Sequence, residues 1–199
     1  GLSNRSFIKK EIPVSSNIEI TNACNLNCLM CNTKLQDRPN ELMEPKVFER
    51  IILELQKTGV TTAGLHTVGE TFVYKDLEAL LEIAQFHNFR VWISTNAQFP
   101  ERIQEVYTRF SKMLNDIRIS VDGATPKTFE HIRVGGSFEK VIESFEVIHK
   151  MNDGKRNFKI GVTMDSILNS DTVYELPLYF KKFGKYMAPE DMNFWVITG

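Results

Sequence analysis

The chain has 199 residues, of which 42% are hydrophobic, 25% charged and 11% aromatic. This globular composition excludes disordered, collagen-like and coiled-coil classes. Twenty-four Lys and Arg oppose 25 Asp and Glu, a formal charge of −1, which offers no basic footprint for nucleic acid or an anionic membrane. No apolar run approaches the roughly 20 residues that span a bilayer, and no secretory h-region opens the chain. The expectation is a cytoplasmic protein with one domain over residues 1–199, long enough to bury a sizeable core.

Short β-rich apolar runs alternate with amphipathic helical stretches. The first strand is expected at 18–20. Pro45 suits a first helical turn, and Phe48, Ile51, Ile52 and Leu55 then form a stripe that stops before Gly59. A strand at 60–65 precedes the stripe Leu77, Leu80, Leu81 and Ala84; one at 91–94 precedes Ile103, Val106 and Phe110. After the fourth strand, 117–121, Ser137 caps a helix with Val141, Ile142, Phe145 and Ile148 on one face. The fifth strand is expected at 158–164. Because Pro177 would break a helix interior, the helix that follows starts near Leu176 and ends at Gly184. The sixth strand is expected at 193–197.

Most of these runs carry few alternating charges, as strands covered on both faces do. Six strands alternating with five helices predict successive βαβ units and a parallel sheet. A full eightfold barrel takes about 250 residues. The expected fold is therefore α/β, a partial TIM-like (β/α)6 barrel with parallel strands. The chain stops two residues after the sixth strand, with no helix to cover it. The expectation is the front of a longer protein that lacks its last helix and any C-terminal extension.

All three cysteines, Cys24, Cys28 and Cys31, lie within eight residues. An odd, local set does not make a disulfide framework and points to a metal site in a reduced compartment. The C-x3-C-x2-C loop follows the first strand directly, and sites in parallel α/β folds lie beyond the carboxyl ends of strands. Three thiolates at this spacing can bend around one iron–sulfur cluster. A cubane wants four ligands, so one iron would stay open for a non-protein ligand. The other readings are structural zinc, with His66, His87, His131 or His149 as fourth ligand, or inert core thiols.

The cysteine loop resembles the signature of the radical S-adenosylmethionine (AdoMet) enzymes. The resemblance implies a 4Fe–4S cluster held by Cys24, Cys28 and Cys31, with the open iron binding the amino and carboxylate groups of AdoMet. It implies one-electron cleavage to a 5′-deoxyadenosyl radical that abstracts hydrogen from substrate, with a reductant such as flavodoxin or ferredoxin as partner. Val68-Gly69-Glu70-Thr71 is similar to the family's Gly-Gly-Glu-Pro motif for the AdoMet amino group, with Val68 and Thr71 departing from it. A glycine allows close backbone approach, and a carboxylate can hold an ammonium. Asn96, in Ser94-Thr95-Asn96, is expected to line the AdoMet pocket.

Ser120 and Asp122 share one face of the fourth strand, where either could serve ribose or substrate. Arg133, thirteen residues after Ser120, could clamp a carboxylate. This stretch resembles the relatives that carry a SPASM or twitch extension, and the resemblance implies that Ser120 and Arg133 contact AdoMet. Met30 stands where the family usually has an aromatic residue and contacts adenine; alone it reads as a core methionine. Apolar walls for the adenine are expected from the fifth and sixth strands. His66, Asp165 and Trp195 stand at strand ends, where they either face substrate or serve structure. The substrate classes implied are peptides, protein side chains and sugars. The alternatives are an activating enzyme for a glycyl-radical partner and a non-catalytic Fe–S or zinc module.

Overall fold

The computed structural model describes residues 15–154 and 160–196. Six strands lie side by side in chain order, and every neighbouring pair is parallel. They are β1 (Ser16–Asn17), β2 (Thr62–Gly64), β3 (Arg90–Thr95), β4 (Leu114–Ser120), β5 (Gly161–Leu168) and β6 (Met192–Val196). Parallel neighbours require a crossover each time. The crossovers contain α1 (Pro45–Lys57), α2 (Leu77–Phe86), α3 (Pro100–Phe110), α4 (Pro126–Ile132) with α5 (Phe138–Met151), and α6 (Leu176–Phe183). The sheet curls into the expected half-barrel. Among the described residues, no helix is long and apolar enough to cross a membrane.

The helices cover one face of the sheet only. On that convex side Val91, Ile93, Ile117, Ile119, Val162 and Met164 are buried against Leu80, Val106, Val141 and Phe145. Full burial of such side chains contributes about 1.5–3 kcal/mol each. Alternate residues fall on the concave side, and the register lines them up in rows. Gly64, Trp92, Asp116 and Gly161 make one row, Ser94, Arg118 and Thr163 the next, and Ser120, Asp165 and Asn193 a third. The expectation of strands covered on both faces is therefore corrected. β4 alternates polar and apolar side chains, Asp116-Ile117-Arg118-Ile119-Ser120, as a half-covered strand does.

The helix stripes fall where their spacing places them. Ser137 caps α5 by accepting from the Lys140 N–H at 3.4 Å, and Pro177 sits in the first turn of α6. Several strand boundaries differ, and β4 starts at Leu114 rather than at 117. The first ladder is 16–17, ahead of the expected 18–20, because β2 offers only three paired residues. The Ile18 N–H still reaches Gly64 O at 2.8 Å, but Ile20 O accepts instead from Met43, on the segment that returns ahead of α1. In the 60–65 segment the Val60 N–H closes the end of α1 onto Leu55 O, so pairing starts at Thr62. β5 runs to Leu168, because Asp165 takes the concave side while Ser166 is buried behind the sheet beside Tyr179. Residues 158 and 159 of that expected strand, and 197 of the sixth, lie outside the described residues. Helix α4 was not expected. Its signals are Thr125, whose hydroxyl accepts from the Thr128 N–H, Pro126 in the first turn, and Phe129 and Ile132 three apart and buried.

Candidate cofactor and active site

The cysteine loop crosses the carboxyl end of the sheet, held from both sides. On one side Gly69 adopts φ +80°, and the Glu70 N–H donates to Ala23 O at 2.8 Å, one residue before Cys24. A Cβ at position 69 would lie 2.6 Å from Thr21 O and 2.8 Å from Ala23 O, so only glycine fits this approach. On the other side the Asn27 and Leu29 N–H groups donate to Val134 O and Ile132 O, each at 2.9 Å. That second seam depends on α4 and brings Arg133 beside the cysteines. Thr21 and Asn22 tie the start of the loop to Glu41 and Pro39.

Cys24, Cys28 and Cys31 line one cavity of about 260 Å³. Two of their sulfurs accept hydrogen bonds within the loop: Cys24 from the Leu26 N–H at 3.4 Å, Cys31 from the Thr33 N–H at 3.5 Å. Asn96 Nδ2 lies 3.8 Å from Cys24 Sγ and donates to Asn25 Oδ1 at 2.9 Å. Burial pushes the Cys28 thiol up, against the pull of the nearby Arg133 guanidinium. The exposed Cys24 thiol is raised as well, by partial desolvation with Glu70 and the other two cysteines nearby. Among the described residues no three His, Cys, Asp or Glu side chains converge on one point to hold a single ion. Three soft donors spread round one cavity, with N–H groups aimed at sulfur, fit an iron–sulfur cluster, whose irons take one thiolate each.

Val68, Gly69 and Glu70 line the same cavity. Glu70 is buried, and its carboxylate accepts from Thr95 Oγ1 at 2.7 Å, the Phe72 N–H at 3.1 Å and the Asn96 N–H at 2.7 Å. A carboxylate has about four acceptor positions, so one is left for a ligand donor. Burial pushes this carboxyl above its usual range, opposed by those three hydrogen bonds. Met30, Asn96, Ser120 and Arg133 line it as well.

Arg133 is already paired. Its Nε and a terminal nitrogen both reach Asp122 Oδ2, at 2.8 and 2.6 Å, while Asp122 Oδ1 accepts from the Ile167 N–H at 2.7 Å. Asp122 therefore links the end of β4 to β5 and to the segment after α4. It does not line the cysteine cavity but an adjoining one on the concave face. The guanidinium has five N–H donors, so three remain for the cavity. Of the walls expected from the last two strands, Ile167 of β5 faces the cysteine cavity, whereas Met164 is buried among the helices. Thr95 and Thr33 are site residues that sequence reasoning missed. Only the strand-end position of Thr95, next to Asn96, would have signalled the first.

The sequence model of the radical SAM superfamily matches residues 18–168, from the end of β1 to the end of β5. The chain belongs to the radical SAM superfamily. Members of this family use a 4Fe–4S cluster and AdoMet. Among curated relatives, the mycofactocin maturase MftC of Mycobacterium tuberculosis is 32% identical over 138 residues, 68% of this chain and 34% of the maturase. GTP 3',8-cyclase of Peptoclostridium acidaminophilum is 26% identical over 163 residues, 78% of this chain and 48% of the cyclase. Both relatives are enzymes. Among solved structures, AdoMet-bound anSMEcpe superposes with a TM-score of 0.71 at 19% identity, covering 92% of this chain and 52% of that one. SuiB of Streptococcus suis with S-adenosylmethionine gives 0.63 at 20% identity, over 86% and 39%. At those identities the structures show the shared fold. The chain spans about a third to a half of the length of these curated relatives.

Proposed function

We propose that residues 1–199 form a radical SAM core domain that works in the cytoplasm, with a flavodoxin- or ferredoxin-type protein as electron donor. A 4Fe–4S cluster held by Cys24, Cys28 and Cys31 would supply the one-electron chemistry that cleaves bound AdoMet and so opens hydrogen abstraction from a substrate. The observation that carries this reading is the shared cavity. Three cysteines, the Gly69-Glu70 turn and Arg133 come from three separate crossings of the sheet and line one space of about 260 Å³.

Each side chain has a role in that space. Cys24, Cys28 and Cys31 hold the cluster. The remaining acceptor position of Glu70, with the backbone of Val68 and Gly69, takes the ammonium group of AdoMet. The free N–H donors of Arg133 take a carboxylate, with Asp122 holding the guanidinium in place. Ser120 and Asn96 supply hydroxyl and amide contacts, and Met30 lies against the adenine. The burial of Glu70 and of the Arg133 side chain strengthens their charged contacts. The reaction belongs to the oxidoreductase and transferase types that modify a peptide, a protein side chain or a sugar.

The test is 5′-deoxyadenosine formation by the reconstituted protein with AdoMet and dithionite under anaerobic conditions. The reading predicts nucleoside formation in the parent and its loss in Cys24→Ser, Cys28→Ser and Cys31→Ser. Formation undiminished in all three serine variants would overturn it.

A further inference from the structure

The concave face holds a second cavity, of about 380 Å³, that shares His66, Ser94, Ser120, Arg133 and Ile167 with the first. Branched aliphatic residues fill the interior of a closed barrel; here indole, guanidinium, imidazole and carboxylate groups line it. Gly64 makes room for one indole, since a Cβ there would lie 2.1 Å from the Trp92 ring. The Arg118 guanidinium stacks over that ring, 4.1 Å from its centroid, and its Nε donates to Asp116 Oδ2 at 3.1 Å. Stack and hydrogen bond fix the plane of the fork, while its two terminal nitrogens make no hydrogen bond among the described residues. In the adjoining row, on the neighbouring strand β5, Asp165 Oδ1 accepts from Asn193 Nδ2 at 3.0 Å and from Trp195 Nε1 at 3.1 Å. Asp165 Oδ2 accepts nothing among the described residues.

We propose that this second cavity binds the substrate through an amino-acid-like zwitterionic unit. The terminal nitrogens of Arg118 take its carboxylate, Asp165 Oδ2 takes its ammonium, and its side chain lies against Trp92 and Trp195. Charge selects this chemistry over a phosphate ester. Arg133 is already held by Asp122 and Arg118 has Asp116 beside it, so with Asp165 two arginines meet three aspartates. A dianion would enter a site with no cation to spare, whereas a zwitterion adds no net charge. Burial keeps the His66 imidazole below its usual range, so it brings no further positive charge. The inference rests on the proposed radical chemistry only in naming the ligand a substrate.

The chain has two tryptophans, and both line this cavity, so selectively excited tryptophan fluorescence reports on it. The folded chain would be titrated with L-phenylalanine, phenylalaninamide, N-acetylphenylalanine and inorganic phosphate. The expected result is saturable binding of L-phenylalanine at millimolar concentration or below. The two blocked forms should bind about tenfold to a hundredfold more weakly, one charged hydrogen-bonded contact being lost in each. In Arg118→Gln, and largely in Arg118→Lys, which keeps charge without the fork, the amino acid and its amide should bind alike while circular dichroism stays that of the parent. No saturable response to L-phenylalanine, equal binding of blocked and unblocked forms, or a preference for phosphate would each overturn the proposal. The titration needs no iron, AdoMet or reductant, so its failure is separable from failure of the radical reading.

Discussion

Replacing Gly69 with alanine perturbs the contact that joins the Gly-Glu turn to the cysteine loop. At φ +80° an L-residue enters the left-handed region, which costs about 1–2 kcal/mol. The new Cβ would also stand 2.6 Å from Thr21 O, 2.8 Å from Ala23 O and 2.9 Å from Asn22 C. These are backbone atoms, so relief means moving the loop; overpacking of that kind costs about 1–3 kcal/mol. The two effects together predict a loss of about 2–5 kcal/mol. Urea unfolding followed by circular dichroism measures it, on metal-free protein so that cluster binding does not enter. A Gly69→Ala protein within about 0.5 kcal/mol of the parent, the range of an unremarkable surface change, would refute the close packing of turn and loop.

Further outcomes follow from other parts of the site. Asp122→Asn removes the partner of an Arg133 side chain that is only 13% exposed, and breaking such a buried pair should cost about 3–5 kcal/mol in the same assay. Glu70→Gln keeps shape but loses charge and an acceptor; AdoMet affinity, measured by equilibrium dialysis on reconstituted protein, should fall about tenfold, one charged hydrogen bond. Tyr179, fully buried, has its phenol pushed up to about 12 by that burial. The folded state holds this proton more tightly than the unfolded one. Its stabilising contribution is therefore full below the ordinary tyrosine range near pH 10 and is lost as pH rises towards about 12, up to roughly 2–3 kcal/mol. Urea midpoints at pH 9 and above pH 11 check the sign, and a midpoint that rises would contradict it.

Much of this architecture is legible in the sequence because its signals are local. The stripe Phe48, Ile51, Ile52 and Leu55, the Ser137 cap and the Pro177 start each depend on residues within a turn or two, and the three cysteines announce themselves by spacing alone. What stayed hidden depends on distant partners. Nothing near Ile20 says that its carbonyl will be claimed by Met43 rather than by a strand. Asp122 and Arg133 are eleven residues apart, and only the fold of α4, overlooked because it has barely two turns, turns one onto the other. The polar concave face was written in the alternation of β4 but outweighed by the apolar character of the other runs. Its meaning appears only when the register stacks Trp92, Arg118 and Asp165 in adjacent rows.

The central claim is that three cysteines hold a cluster with one iron open to AdoMet. Electron paramagnetic resonance of the anaerobically reconstituted, dithionite-reduced chain, with and without AdoMet, tests it most directly. The account predicts a reduced-cluster signal at about one cluster per chain whose g-values shift when AdoMet is added. A signal indifferent to AdoMet, or zinc recovered in place of iron, would contradict it.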